Sequence, residues 1–118
     1  MSTLLVLDED ENTLTCLQEV LTAFGHLVLP TSSPEAALSV AQGVAFDLFL
    51  VDVQLPGLDP SSLISTLRRT SPNGLLMVVT NFPKDESTQA ALAAGADGTM
   101  RKPFEIGEII RLLPGGDH

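Results

Sequence analysis

The stretch DLFLVDVQLPGLDP at residues 47–60 is the most informative about the fold, because an apolar run leads up to Asp52 and a Pro-Gly turn follows. A short apolar run bounded by turn residues predicts a strand buried on both faces, as in parallel sheets. Asp59 and Pro60 then combine a helix-capping residue with proline at the first helical position. The stretch therefore predicts a strand–loop–helix unit with a carboxylate at the carboxyl end of its strand.

Similar units lie on both sides of this stretch. Together with 47–52, apolar runs predict strands near residues 3–8, 27–30, 75–80 and 97–101. Helical spacing, capping residues and glycine stops predict helices at 11–24, 34–42, 60–70, 84–94 and 104–113. Strands that alternate with helices predict an α/β protein with three α/β/α layers, in which helices cover both faces of a five-stranded parallel sheet.

Length and charge narrow the class of protein. The 118 residues suffice for one hydrophobic core, so we expect one domain at 1–113 and a tail or the beginning of a linker at 114–118. A domain that binds a nucleic-acid duplex needs a basic face, and the net charge of −9 disfavours such binding. No apolar run approaches the roughly 18 residues of a membrane span. We therefore expect neither direct nucleic-acid binding nor a membrane anchor, and the lone cysteine is typical of a cytoplasmic protein.

The cysteine and the two histidines give no sign of a site of their own. Cys16 is expected as a half-buried apolar residue of the first helix. His26 and His118 lack partners at metal-ligand spacing, so both are expected at the surface.

Polar residues follow the apolar runs at the carboxyl ends of four predicted strands. Asp8 and Glu9 come after LLVL, Asp52 after LFLV, Thr80 after LLMVV, and Lys102 closes GTMRK. Since parallel sheets bind ligands just beyond the carboxyl ends of their strands, these side chains are expected to converge.

Clustered carboxylates repel one another unless a cation lies near them. Mg²⁺ accepts oxygen ligands and keeps several waters. Its predicted ligands are Asp8, Glu9, Asp52 and a backbone carbonyl just after Asp52, assigned to Gln54. With a nucleophilic carboxylate and a metal, the ammonium of Lys102 and the hydroxyl of Thr80 complete the groups that phosphoryl transfer requires.

Each residue also has an ordinary structural explanation. Asp52 could serve the turn at Pro56 and Gly57, and Thr80 is a common strand residue. Lys102 could be a solvated lysine at a strand end, and Glu9 is evenly divided between a metal ligand and a solvated acid. Only the ordered set favours a site.

The chain resembles the receiver domain of bacterial two-component response regulators over nearly its whole length. The matching pieces, in order, are LLVLDED, DLFLVDVQLPGLD, the VVT at Thr80, AAGADG, and KPF at 102–104. The resemblance implies a flavodoxin-like fold of five strand–helix units with strand order 2-1-3-4-5.

The resemblance also implies a role for each site residue. Asp52 matches the phospho-acceptor, which takes a phosphoryl group from a kinase phosphohistidine, and Asp8 and Glu9 match the acidic pair that holds Mg²⁺. Thr80 and Lys102 match the hydroxyl and the ammonium that contact the phosphoryl oxygens. Such a protein is not an enzyme beyond catalysing its own aspartyl phosphorylation and dephosphorylation.

Partners follow from the same resemblance. A sensor histidine kinase or a phosphotransfer protein would supply the phosphoryl group. A downstream effector would contact the output surface, which is formed by the fourth helix, fifth strand and fifth helix at roughly 84–94 and 97–113. A homodimer on activation is left open. Lys102 and Pro103 match a peptide bond that is cis in the family.

Three of the departures from the family pattern bear on the site or on switching. Glu9 stands where the family usually has Asp, Asn81 where it prefers a very small residue, and Thr99 where it has an aromatic ring that moves during switching. These changes motivate an alternative, a degenerate receiver that docks proteins without being phosphorylated. A small phosphotransfer enzyme acting on free metabolites is a weaker third possibility, for which no substrate pocket is predicted.

Overall fold

The computed structural model describes residues 1–114, in which five strands alternate with five helices. In chain order these are β1 (Thr3–Leu7), α1 (Glu11–Ala23), β2 (Leu27–Thr31), α2 (Pro34–Ala41), β3 (Leu48–Asp52), α3 (Pro60–Thr70), β4 (Leu75–Thr80), α4 (Glu86–Ala93), β5 (Gly98–Arg101) and α5 (Ile106–Leu112). The strands form one parallel sheet in the order β2-β1-β3-β4-β5. The predicted fold class and strand order are confirmed. Of the predicted tail, only Pro114 lies within the described residues, and His118 lies outside them.

Capping residues set where the helices begin and end. The side chain of Ser33 accepts a hydrogen bond from the backbone N–H of Ala36, and Asp59 accepts one from Ser62. Gly25 and Gly95 have φ angles of +90° and +126°, which residues with a Cβ rarely adopt, and they follow the ends of α1 and α4.

Two helices begin two residues later than predicted. Asp85 caps α4 by accepting from the N–H of Thr88, so the helix begins at Glu86 and not at residue 84. Glu105 and Glu108 form a capping box at the start of α5, which begins at Ile106 and not at residue 104. A local capping group decides each boundary, which hydrophobic periodicity does not resolve.

Both faces of the sheet are covered, and β3 is buried along its whole length. Alternate strand residues point to opposite faces. One core cluster joins the sheet to α2 and α3 through residues such as Leu5, Phe49, Val51, Ile64 and Leu67. The other joins it to α1 and α5 through residues such as Leu4, Leu14, Leu17, Leu50 and Ile109. This double burial holds the strands, and so the residues at their ends, in a fixed register.

Two side chains differ from expectation. Cys16 is exposed and not half-buried, because α1 turns Leu14, Leu17 and Leu21 to the core and leaves position 16 outside that stripe. His26 is half-buried and not at the surface, since its Nδ1 accepts a hydrogen bond of 3.0 Å from the backbone N–H of Ser2. Within residues 1–114, no helix has the length and apolar content needed to cross a membrane.

Candidate functional site

An ammonium bridges two buried carboxylates at the carboxyl edge of the sheet. Lys102 Nζ lies 2.8 Å from Asp8 Oδ2 and 2.9 Å from Asp52 Oδ2. Asp8 follows β1, Asp52 ends β3 and Lys102 follows β5, so the sheet order brings together residues that are far apart in the sequence. Asp8 and Asp52 are only 4% and 6% exposed.

The second oxygen of each carboxylate is held by the backbone. Asp8 Oδ1 accepts from the N–H of Asp10 at 2.9 Å, and Asp52 Oδ1 accepts from the N–H of Gln54 at 2.8 Å. Both are two-residue turns in which an aspartate bonds its own downstream backbone. Every carboxylate oxygen of the pair therefore has a partner and keeps lone-pair capacity for another.

The charges at the site do not balance. Burial alone would lower the pKa of Lys102, but the hydrogen bonds to Asp8 and Asp52, together with their negative charges, outweigh it and raise that pKa. Lys102 is therefore charged at neutral pH. One ammonium between two carboxylates leaves one negative charge uncompensated, which favours a further cation at this edge.

The neighbouring acids differ in how they are used. Asp10 caps α1, accepting from the N–H of Asn12 and from the hydroxyl of Thr13. These bonds, that of Thr13 foremost, lower the pKa of Asp10. Glu9 is exposed and makes no side-chain hydrogen bond within the described part of the chain. Asp8, Asp52 and Glu9 are thus the acids left to meet a cation, although no three such side chains in residues 1–114 are already arranged around one point.

Thr80 ends β4 and is completely buried. Its Oγ1 accepts from the N–H of Phe82 at 2.9 Å and from the hydroxyl of Thr88 at 3.3 Å. Both partners lie toward α4. The hydroxyl of Thr80 is therefore at the correct edge of the sheet but hydrogen-bonds the start of a helix and not the carboxylates.

The remaining predicted residues surround this core of the site. Asn81 and Lys102 line one open cleft of about 540 Å³, together with Asp10, Pro103 and Phe104. The Lys102–Pro103 peptide bond is cis. Thr99 pairs with Val78 in the sheet and is exposed.

The sequence analysis did not identify two residues at the start of α4: Asp85, which caps the helix, and Thr88 in its first turn. Gln54 Nε2 donates to Asp85 Oδ2 at 3.0 Å, and Asp85 Oδ1 accepts from the N–H of Thr88 at 2.9 Å. These bonds, that from Thr88 foremost, lower the pKa of Asp85. An aspartate at position 85, just before a helical pattern, was the one sequence signal that could have identified the cap. Its bond to Gln54 has no local sequence signal.

The chain is similar to known proteins over nearly its whole length. A family model described as the response regulator receiver domain matches residues 4–113. The alkaline phosphatase synthesis transcriptional regulatory protein PhoP of Bacillus subtilis is 33% identical over 106 residues, which cover 90% of this chain and 44% of that protein. Against six curated relatives, the chain spans between 23% and 45% of the relative's length.

Solved structures agree in fold. A response regulator from Burkholderia pseudomallei, with a phosphorylated aspartic acid, calcium ion and citrate, superposes with a TM-score of 0.86 and 26% identity, covering 97% of this chain and 67% of that chain. The receiver domain of a sensor histidine kinase from Pseudomonas aeruginosa, with a magnesium ion in its active-site cleft, has a TM-score of 0.79 and 24% identity, covering 94% of this chain and 93% of that one. The second likeness concerns the fold alone.

The family match covers nearly all of the described residues, and the sheet order is the one that the resemblance implied. Receiver domains are in general signalling modules of two-component systems and not enzymes. This chain belongs to the family of response regulator receiver domains.

Proposed function

We propose that this domain accepts a phosphoryl group on Asp52 with Mg²⁺ bound beside it, and that phosphorylation changes the surface formed by α4, β5 and α5. The observation that carries the proposal is the ammonium of Lys102, within 2.9 Å of the carboxylates of both Asp8 and Asp52. A carboxylate held beside a cation at the edge of a parallel sheet is placed to attack phosphorus and to have the resulting charge stabilised.

In the proposed reaction, an oxygen of Asp52 attacks the phosphorus of a phosphohistidine in line with the N–P bond. The O–P bond forms as the N–P bond breaks, and a donor ring protonated on its other nitrogen leaves as neutral imidazole. Lys102 would stabilise charge on the phosphoryl oxygens. Thr80 would contribute a hydrogen bond once its hydroxyl turns toward Asp52.

The residues at this edge fit a hard divalent cation. Asp8 and Asp52 supply inward carboxylate oxygens, and Lys102 leaves one of their negative charges uncompensated. We infer that Asp8, Asp52 and the backbone carbonyl of Gln54 would hold Mg²⁺, with Glu9 reaching it directly or through water. The ion would neutralise charge on the transferred group. The calcium ion and phosphorylated aspartic acid of the Burkholderia pseudomallei relative support this assignment by likeness.

The proposed partners follow from family membership. A sensor histidine kinase or a phosphotransfer protein would phosphorylate Asp52 in the cytoplasm. An effector would contact α4, β5 and α5, and a homodimer could form on activation through that surface. The transcriptional regulator of Bacillus subtilis is more than twice the length of the matched segment. With a net charge of −9 on this chain, any contact with nucleic acid would belong to another part of a longer protein.

A specific observation favours the second candidate, a receiver that docks proteins without phosphorylation. Glu9 is exposed, and within residues 1–114 no three acidic or other metal-type side chains are gathered for an ion. Lys102 already bridges the two buried carboxylates, so the unphosphorylated site is partly neutralised without a metal.

Intact-mass measurement separates the two candidates. The protein is incubated with Mg²⁺ and acetyl phosphate, with Asp52→Asn as the control. We expect one phosphoryl adduct in the parent, none in Asp52→Asn, and none in the parent when EDTA replaces Mg²⁺. Absence of an adduct, under conditions that phosphorylate another receiver domain in the same experiment, would reject phospho-acceptance and favour the docking module.

A further inference from the structure

A pair of buried hydroxyls joins the end of β4 to the first turn of α4. Thr80 and Thr88 are both 0% exposed, and Thr88 Oγ1 lies 3.3 Å from Thr80 Oγ1. Burying a hydroxyl is costly unless it is hydrogen-bonded, whereas valine has nearly the same shape without that cost. Two adjacent buried threonines, each a partner of the other, therefore indicate a use for the hydroxyls beyond packing.

The hydrogen bonds of this pair permit two arrangements. Thr80 Oγ1 accepts from the N–H of Phe82 and from the hydroxyl of Thr88, so only its own proton remains to be donated. Thr88 has one proton but two acceptors within reach, Thr80 Oγ1 and the carbonyl of Phe82 at 3.1 Å. If Thr80 turned away, Thr88 would still be satisfied by Phe82. The change would therefore leave no buried hydroxyl without a partner.

A second contact connects the same turn of α4 to the loop after Asp52. The backbone N–H of Gln54 donates to Asp52 Oδ1, and the Gln54 side chain donates to Asp85 Oδ2. Asp85 in turn accepts from the N–H of Thr88 through its other oxygen. The first turn of α4 therefore contacts the site both through Thr80 and through Gln54.

We propose that Thr88 is a positioning residue, whose hydroxyl holds the side chain of Thr80 toward α4. When Asp52 carries a phosphoryl group, the hydroxyl of Thr80 turns and donates a hydrogen bond to that group instead. Thr88 then donates its hydrogen bond to the carbonyl of Phe82 alone, and the bond between α4 and Thr80, the last residue of β4, is lost. This inference rests on the proposed phosphorylation of Asp52. In this arrangement, α4 itself links the phosphorylated site to the surface formed by α4, β5 and α5. An aromatic ring at position 99 would otherwise provide that link.

Position 99 supports this assignment. Thr99 is exposed on β5, and within residues 1–114 it makes no side-chain hydrogen bond to Thr80. Threonine also has no aromatic ring that could move into the space beside Thr80. Among the described residues, Thr88 is the side chain of α4 that bonds the Thr80 hydroxyl directly.

Thermodynamic linkage predicts whether removal of the Thr88 hydroxyl raises or lowers the affinity for a phosphoryl group. A hydrogen bond that exists only before phosphorylation opposes the phosphorylated arrangement, so its removal must favour that arrangement by the same factor. The net value of one neutral hydrogen bond corresponds to a factor of about five in an equilibrium constant. Damage to the fold would change affinity in the opposite direction.

The test is an NMR titration with beryllofluoride, a tetrahedral mimic of an aspartyl phosphoryl group, at saturating Mg²⁺. We expect Thr88→Val to bind about fivefold more tightly than the parent, since it keeps the shape and loses the hydroxyl. Thr88→Ser keeps the hydroxyl and should bind like the parent. Thr31→Val is the matched control, because it also removes a buried hydroxyl. That hydroxyl donates to the carbonyl of Val6 at 2.8 Å, between β2 and β1 and away from α4.

The outcomes separate this inference from the proposed function. Unchanged or weaker binding by a folded Thr88→Val, with binding intact in the parent, would overturn the role of Thr88 and leave phospho-acceptance standing. If the parent binds no better than Asp52→Asn, both proposals fail together. If Thr88→Val does not fold, Thr88→Ala makes the same comparison, because alanine also lacks the hydroxyl and is well tolerated in helices.

Discussion

A cation contacts one or two carboxylates at each end of the sheet, and the charge balance differs between these two clusters. At the carboxyl end, Lys102 lies between Asp8 and Asp52 and leaves one negative charge uncompensated. At the amino end, Arg68 faces the single carboxylate of Asp97 at 2.6 Å. One arrangement is balanced and the other is not.

The balanced end is built for stability. Arg68 also donates to the carbonyls of Gly74 and Gly95, at 2.7 and 3.0 Å, and Asp97 accepts from the N–H of Leu76 at 2.8 Å. These bonds tie α3 to the start of β4 and to the residues just before β5. All of these partners belong to the chain itself, so no ligand is needed to complete the cluster.

Surplus charge thus distinguishes the candidate site from a structural ion pair. A buried carboxylate without its own cation weakens the fold, and such a cost persists where the charge has a function. Substitutions at the two ends should therefore differ in size, in sign and in their response to Mg²⁺.

The largest effect is expected for Lys102→Met, which keeps the length of the side chain and removes its charge. Asp8 and Asp52 would then face each other without a cation. We expect the free energy of unfolding to fall by about 3 kcal/mol, the low end of the range for a broken buried ion pair because Lys102 is partly accessible. Urea unfolding followed by circular dichroism measures this value with and without Mg²⁺.

The matched control is Arg68→Met at the other end of the sheet. Excess Mg²⁺ should recover part of the stability lost in Lys102→Met, since the ion would replace the missing charge, and none of that lost in Arg68→Met. If Mg²⁺ restored stability equally in both variants, or restored none in either, the two ends would not differ in their surplus charge.

A smaller loss is expected for Asp97→Asn. Asparagine still accepts from Leu76 but loses the charge that Arg68 pairs with, which is worth about 1 kcal/mol for a partly exposed pair. Burial alone would raise the pKa of Asp97, but the bonds from Leu76 and Arg68 outweigh it and lower that pKa. The contribution is therefore present above the ordinary carboxyl pKa of 3.8 and is lost as the pH falls through the lower folded value.

The pH dependence supplies the measurement. The difference in unfolding free energy between parent and Asp97→Asn should be constant from pH 7 to about 5 and shrink below about pH 4. Because Asp10 and Asp85 also have lowered pKa values, only this difference isolates Asp97. A difference that grows on acidification would contradict the assignment.

The smallest effect is expected for Asp52→Asn, which should stabilise the fold and not weaken it. Asp52→Asn removes the surplus charge and leaves Lys102 paired with Asp8, so in metal-free buffer it should raise the free energy of unfolding by roughly 0.5–1 kcal/mol. The stabilisation of the parent by Mg²⁺ should also disappear. Thermal unfolding with and without EDTA measures both. If Asp52→Asn destabilises as Asp97→Asn does, the carboxyl end carries no surplus charge.

Much of the fold was predictable because its signals are local. The run at 47–52, the caps at Ser33 and Asp59, and the stops at Gly25 and Gly95 act on their own segments, and all are present in the structure. The starts of α4 and α5 were predicted two residues too early. There the capping groups, Asp85 and Glu105, stand within the segment that periodicity alone assigned to the helix.

The positions of the candidate site residues in the fold were predictable from the sequence, but their contacts were not. Asp8, Asp52, Thr80 and Lys102 were placed at strand ends, and the carboxyl ends of parallel strands share one edge. The direction of the Thr80 hydroxyl and the bond between Gln54 and Asp85 were not predicted, because each depends on a side chain supplied by a different element.

The alternation of strands and helices, the surplus of acids at one edge and the family membership can all be inferred from the sequence. Two contacts become apparent only in the folded chain: Lys102 bridges two carboxylates that lie 94 and 50 residues away in the sequence, and Thr80 is bonded to Thr88. The reason is physical. Apolar periodicity and capping act over a few residues, whereas a side-chain hydrogen bond depends on positions that are fixed only when the whole sheet is packed.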